Sequence, residues 1–246
     1  MSPTRLYVDD ELASGRRLSL GEAQAHYIAR VLRLRPGDTL IVFNGKGGEF
    51  DAAVEAIRKD SAVLAIGAHK ETSTESTLHV QLVQGISRGE RMDFVVQKAT
   101  ELGVKRITPV LTKRGVVRLD ARRADTRRAH WQNIAASACE QSGRVRPPLI
   151  DGPVPLDAWF GAMSDRADVD LILRPDADLA LAAVAAPVTK LCLLIGPEGG
   201  FSAAEYEAAA AAGFRAVSLG PRILRTETAA TAALAVAQSL WGDLGG

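Results

Sequence analysis

Two glycine-proline turns in the C-terminal half carry the residues best suited to chemistry. Residues 193–202 read LLIGPEGGFS: an apolar run stops at Gly196-Pro197-Glu198-Gly199-Gly200, and a polar, capped segment follows. Glycine lets backbone come close to a ligand, and proline stiffens the turn. An ordinary strand–helix turn rarely needs three glycines, a proline and an acid together, so the stretch reads as a binding loop. Residues 218–230, SLGPRILRTETAA, repeat the device. There Ile223 and Leu224 can line a flat apolar slot, and Arg225 offers a permanent charge beside a helix start. Glu227 falls in the first helical turn, where a carboxylate also complements the helix dipole.

Neither turn is a nucleotide fingerprint. GxGxxG does not occur in the Gly196–Gly200 loop, which disfavours a nicotinamide enzyme and a Rossmann methyltransferase. Asn44-Gly45-Lys46-Gly47-Gly48 lacks the GxxxxGK[ST] order and is expected to be a hairpin turn. His26, His69, His79 and His130 show no metal-ligand spacing, and Cys139 and Cys192 are too far apart for a zinc or disulfide framework. No metal is expected, and a reducing cytoplasm fits the cysteine usage. MSPTRLYVDD has no apolar signal core, and no run approaches the ~20 apolar residues of a membrane span.

The net charge of +1 conceals a strong asymmetry. Residues 86–150 hold 14 Lys/Arg against 6 Asp/Glu, whereas residues 151–246 hold 6 against 12. The excess is densest over Lys105–Arg128, with Arg106, Lys113, Arg114, Arg118, Arg122, Arg123, Arg127 and Arg128. Such a cluster attracts a phosphate backbone by counterion release, or it is a solvated helix face.

These residues need elements to hold them. Up to about residue 70 the pattern is a small β-rich unit: a helix at Glu22–Leu32, then strands at Thr39–Phe43, Phe50–Ile57 and Ala62–Ile66. The polar stretch Lys70–Thr77 reads as a linker, giving domains 1–72 and 73–246. Beyond it, strands and helices alternate. Strands are expected at Leu78–Ile86, Arg106–Leu111, Leu171–Leu173, Lys190–Ile195 and Phe214–Leu219. Helices are expected at Met92–Leu102, Arg122–Gln141, after a Ser202–Glu205 capping box, and over Thr226–Leu240. This is the grammar of an α/β domain whose ligand sits at the carboxyl ends of parallel strands.

Four blocks in this order, KATELGV, CEQSGRVRPP, IGPEGGFS and LGPRILRTETA, resemble the small-subunit ribosomal RNA uridine N3-methyltransferase family, a branch of the SPOUT (trefoil-knot) methyltransferases. The likeness extends to Arg30-Val31-Leu32-Arg33 and Arg35-Pro36-Gly37-Asp38 in the first unit. Thr112-Lys113-Arg114-Gly115 departs from it, standing where a Ser-Glu-Arg-Ser-like stretch is expected. The resemblance implies an α/β knot domain behind a small PUA-like β-barrel that binds RNA. It implies a homodimer that binds S-adenosylmethionine and acts on 16S rRNA of the small ribosomal subunit. Matched residue by residue, the cofactor-binding positions are Leu173, Arg174, Pro175, Ile195, Gly196, Pro197, Glu198, Gly199, Gly200, Leu219, Gly220, Ile223 and Leu224. Arg225, as charge stabiliser or an ordinary surface charge, and Glu198, for orientation or proton removal or only bracing its loop, are the catalytic candidates, and Arg30, Arg33, Arg88, Arg114, Arg122, Arg123, Arg127, Arg128 and Arg144 the RNA-binding ones. Ribose 2′-O methylation by a related knot enzyme, or RNA binding without catalysis, are the competing readings.

Overall fold

The computed structural model describes residues 3–117, 120–164, 166–185 and 187–245, so Arg118 of the basic cluster lies outside the described residues. The chain forms two compact units, Met1–Glu75 with Cys139–Pro147, and Ser76–Ala138 with Pro148–Gly246. The division differs from the cut expected after residue 72 because a distant segment joins the first unit.

The first unit contains β1 (Arg5–Tyr7), β2 (Arg17–Leu20), α1 (Glu22–His26), β3 (Thr39–Phe43), β4 (Glu49–Ile57) and β5 (Ala62–Lys70). The strand order is β1-β3-β4-β5-β2, a half-barrel with β1 and β2 at its edges. Alternation explains it: in β5, Ala62, Leu64 and Ile66 point inward onto Leu20, Ile28, Val42 and Val54. The β3–β4 connection is the expected hairpin, with Val42 opposite Phe50. The helix expected over Glu22–Leu32 is interrupted, since α1 gives way to a wider π-type turn over Tyr27–Val31. Residues 139–147 are held by specific bonds. Glu140 accepts from the Tyr7 N–H at 2.9 Å and the Tyr27 hydroxyl at 3.0 Å, and Arg144 pairs with Glu75 at 2.6 Å.

The supposed linker is therefore only partly one. Lys70 closes β5, Glu75 is a buried ion-pair partner, and Ser76 is buried with its hydroxyl donating to Gln238 Oε1 at 2.7 Å.

The second unit adds β6 (His79–Gly85), α2 (Arg91–Glu101), β7 (Arg106–Leu111), α3 (Ala121–Ser142, whose last turn belongs to the first unit), β8 (Leu149–Ile150) and β9 (Val154–Pro155). Then come α4 (Leu156–Ala162), β10 (Val169–Leu173), β11 (Lys190–Ile195), α5 (Ala203–Ala211), β12 (Arg215–Val217) and α6 (Thr226–Trp241). All ladders are parallel, in the order β12-β10-β11-β6-β7-β8, with β9 pairing β7. β11 shows why the sheet is covered on both faces. Leu191, Leu193 and Ile195 enter the cluster that includes α2 and α6, while Cys192 and Leu194 enter the one that includes α4 and α5.

Gly103, at φ 78°, ends α2 as expected: the Gly103 and Val104 N–H groups return to the Thr100 and Ala99 carbonyls. The chain leaves β6 toward β7 on one side and later fills the other side with β11, β10 and β12. The order thus reverses between β6 and β11, the place where a ligand cleft opens in such sheets. The loops after β10 and β12 are laced together, with Ala180 bridging Ser218 and the Leu181 N–H donating to the Ser218 carbonyl.

Candidate cofactor cleft

β11 ends at Ile195, and the Gly196–Gly200 turn closes with the Gly200 N–H on the Pro197 carbonyl at 2.8 Å. Gly200 has φ 62°, which glycine adopts without strain. The capping box is present: Ser202 Oγ accepts from the Glu205 N–H, and Glu205 Oε2 accepts from the Ser202 N–H at 2.7 Å. Glu205 Oε1 accepts the Lys113 N–H at 2.7 Å, so one buried carboxylate also anchors the loop bearing Arg114. That loop presses on Gly199, where a Cβ would lie 2.8 Å from the Arg114 carbonyl oxygen.

Above the turn lies a cleft of about 430 Å³, within the ~300–1,000 Å³ usual for small-molecule sites. Among the expected cofactor positions, Leu173, Pro175, Ile195, Gly196, Pro197, Glu198, Gly200, Ile223 and Leu224 line it. Arg174, Leu219 and Gly220 line a smaller adjoining hollow of about 50 Å³ that shares Leu173, Pro175 and Leu224. Gly199 lines neither, being spent on the Arg114 backbone. Ile223 stands at the mouth, 86% exposed. Arg91, Phe201, Tyr206, Thr226 and Ala229 complete the wall and were not anticipated. Tyr206 packs edge-on against Phe201 and carries the Arg174 guanidinium 5.2 Å from its ring centre.

The polar rim is organised by Arg91. Its Nη1 donates to Glu198 Oε1 at 2.6 Å, and its Nε lies 3.9 Å from Glu227 Oε1. Glu198 Oε1 also accepts the Arg88 N–H at 3.1 Å. Burial pushes the Glu198 carboxyl upward, but backbone N–H groups and the Arg91 guanidinium outweigh it and hold it below the usual carboxylate range. Such a carboxylate is a fixed anion and a poor proton acceptor. Arg225 is exposed at the N-cap of α6 and lines the cleft.

The candidate RNA contacts separate by environment. Arg30, Arg33, Arg88, Arg114, Arg122, Arg123 and Arg127 are exposed. Arg123 lies 3.5 Å from Asp120, and the half-buried Arg128 donates to the Ile150 carbonyl at 3.0 Å. Arg144 corrects the expectation: it is 3% exposed and its guanidinium donates from Nε and Nη2 to Glu75. It braces the first unit from within and presents no free face to a phosphate. Among the described residues there is no group of three or more metal-ligating side chains and no helix long and apolar enough to cross a membrane.

The sheet order, the glycine-proline cleft at its switch point and the half-barrel fit the expected class, a SPOUT-type α/β methyltransferase with an N-terminal PUA-like unit. Residues 74–238 match the RNA methyltransferase domain family, and residues 20–67 match the RNA methyltransferase PUA domain. The chain is 34% identical to the ribosomal RNA small subunit methyltransferase E of Buchnera aphidicola (pea-aphid strain APS), over 97% of this chain and 94% of that one. It is 30% identical to the Bacillus subtilis protein of that name, over 88% and 87%. Among solved structures it is similar to the Neisseria gonorrhoeae small subunit methyltransferase E bound to S-adenosylmethionine (38% identity, TM-score 0.89, covering 99% of this chain and all of that one). A Legionella pneumophila methyltransferase with bound S-adenosylmethionine is similar at 39% identity and TM-score 0.95, covering 99% of this chain and all of that one. The chain belongs to the ribosomal RNA small subunit methyltransferase E family.

Proposed function

We propose that the protein binds S-adenosylmethionine in the Gly196–Gly200 cleft and methylates N3 of a uridine in 16S rRNA of the small ribosomal subunit, working as a cytoplasmic homodimer. The observation that carries this reading is the convergence of nine expected cofactor positions on one cleft of fitting volume. The donor set fits the group. Leu173, Ile195 and Leu224 offer apolar walls for an adenosine, while the glycine turn brings backbone within reach of its polar edges.

When bound, the cofactor would supply a methyl activated on a sulfonium, the S–C bond breaking to leave a neutral thioether. Around it the chain's own residues orient, screen and stabilise. The target base must leave its stack to enter the cleft. Uracil N3 carries an imide proton that passes to solvent as the new N–C bond forms, so negative charge grows on O2 and O4. Arg225, exposed at the rim, is placed to stabilise that charge. Glu198, already anionic and tied to Arg91, orients the loop and leaves the proton to another acceptor. Exposed Ile223 supplies an apolar surface beside the cleft for the second subunit.

The test is transfer of labelled methyl to small subunits or 16S rRNA, followed by digestion and mass analysis of the nucleosides. N3-methyluridine supports the reading. A 2′-O-methylated, alkali-resistant dinucleotide overturns the site assignment, and absence of S-adenosylmethionine binding removes catalysis altogether.

A further inference from the structure

A buried polar cluster lies at the floor of the cleft, which Gly196 and Thr226 also line. Gln84, near the end of β6, is 0% exposed. Its Nε2 donates to Thr226 Oγ1 at 3.0 Å and to the Gly85 carbonyl at 3.1 Å, and reaches the Gly196 carbonyl at 3.4 Å. Thr226, the first residue of α6, donates its own hydroxyl to that same Gly196 carbonyl at 2.6 Å. Three segments far apart in sequence thus converge on one peptide oxygen: the end of β6, the turn after β11 and the start of α6.

An amide is a costly choice at a fully buried position of β6, two residues from buried Leu82 and in register with buried Ile195. An unpartnered buried polar atom destabilises the fold, and Gln84 Oε1 has no hydrogen-bond partner among the described residues. An apolar side chain of the same size would fill the space without that cost, so stability alone does not explain the glutamine. What it adds is direction. The Gly196 carbonyl, gripped by two donors, fixes the tilt of the first peptide plane of the cofactor turn. Gly85 assists, because its missing side chain lets Pro197 lie directly on the end of β6.

We propose that Gln84 and Thr226 are positioning residues for cofactor binding: they set the Gly196 peptide, and through it the N–H groups that the Gly196–Gly200 turn presents to the cleft. This rests on the cleft being the S-adenosylmethionine site. The variants are Gln84→Met, Thr226→Val and Thr226→Ser in the full chain. Each is titrated calorimetrically with S-adenosylhomocysteine, and KM is measured separately for S-adenosylmethionine and RNA.

Gln84→Met and Thr226→Val should each weaken S-adenosylhomocysteine by about tenfold, the loss of one good hydrogen bond. The KM for S-adenosylmethionine should rise in step while the KM for RNA stays put. Thr226→Ser, which keeps the hydroxyl, should stay within about twofold of the parent. Should Gln84→Met fail to fold, the comparison of Thr226→Val with Thr226→Ser still decides. Affinity unchanged in Thr226→Val, or lost equally in Thr226→Ser, overturns the proposal. A parent protein with no affinity for S-adenosylhomocysteine overturns the underlying site reading instead.

Discussion

Arg91 and Glu198 form an ion pair of 2.6 Å on the rim of the cofactor cleft, joining the start of α2 to the turn after β11. Together with the backbone N–H groups on the same carboxylate, the pair decides what Glu198 does. A carboxyl held below its usual range favours the folded state above its unfolded pKa, and that contribution fades as pH falls through the depressed value. Glu198 therefore stays ionised throughout the neutral range. Glu198→Gln is expected to weaken cofactor binding while leaving the shape of the kcat–pH profile between about pH 6 and 9 unchanged, as measured by single-turnover methylation. Arg225→Ala should do the reverse, cutting kcat by about 10²- to 10³-fold, typical for removing a charge-stabilising donor, with cofactor affinity kept. Loss of an ionisation in Glu198→Gln would restore it as a proton acceptor.

Gly85 is the second point of contact under the turn. A Cβ there would lie 2.5 Å from the Pro197 nitrogen and closer still to its Cδ, and neither atom belongs to a flexible side chain. Gly85→Ala is expected to cost about 1–3 kcal/mol in denaturant unfolding, as overpacking does, and to displace the turn enough to reduce S-adenosylhomocysteine affinity. An alanine variant with parental melting and affinity would show that the turn has room to retreat.

How much of this was legible beforehand depended on whether the signal was local. Thr39–Phe43, Arg106–Leu111 and Lys190–Ile195 were readable to the residue, because a buried strand is a continuous or alternating apolar run bounded by turns. The Ser202–Glu205 box and the Gly103 stop were also readable, since both devices lie within a few residues. β1 and β2, three and four residues long, carry too little pattern. α4, opening at Leu156, has no capping side chain to announce it. Arg91 reaches the cleft only because β6 lies beside β11, a neighbourhood fixed by sheet order.

Arg144 failed as an RNA contact for the same kind of reason: its partner is 69 residues away. Removing one member of a buried ion pair strands the other, at about 3–5 kcal/mol. Arg144→Met is therefore expected to destabilise the first unit strongly, and Glu75→Leu added to it should recover most of the loss. Thermal unfolding of the two single variants and the double variant gives the coupling. The double variant should keep the parental salt dependence of RNA binding, and a reduced slope would return Arg144 to the RNA surface.

Arg122 and Arg127 are the cations on α3 best free to meet phosphate. Both are exposed, whereas Arg123 shares its charge with Asp120 and Arg128 is committed to the Ile150 carbonyl. Each phosphate neutralised releases condensed counterions, about 0.7 per contact on single strands and 0.9 on a duplex. Arg122→Gln with Arg127→Gln should lower the slope of log affinity against log salt by about 1.4 to 1.8. Arg123→Gln with Arg128→Gln should lower it by less, because those guanidiniums already have protein partners. Fluorescence anisotropy with a 16S rRNA fragment between about 50 and 200 mM salt separates the cases. Equal slopes in the two double variants would mean that RNA does not discriminate among these arginines, and an unaltered slope in both would move the phosphate path off α3.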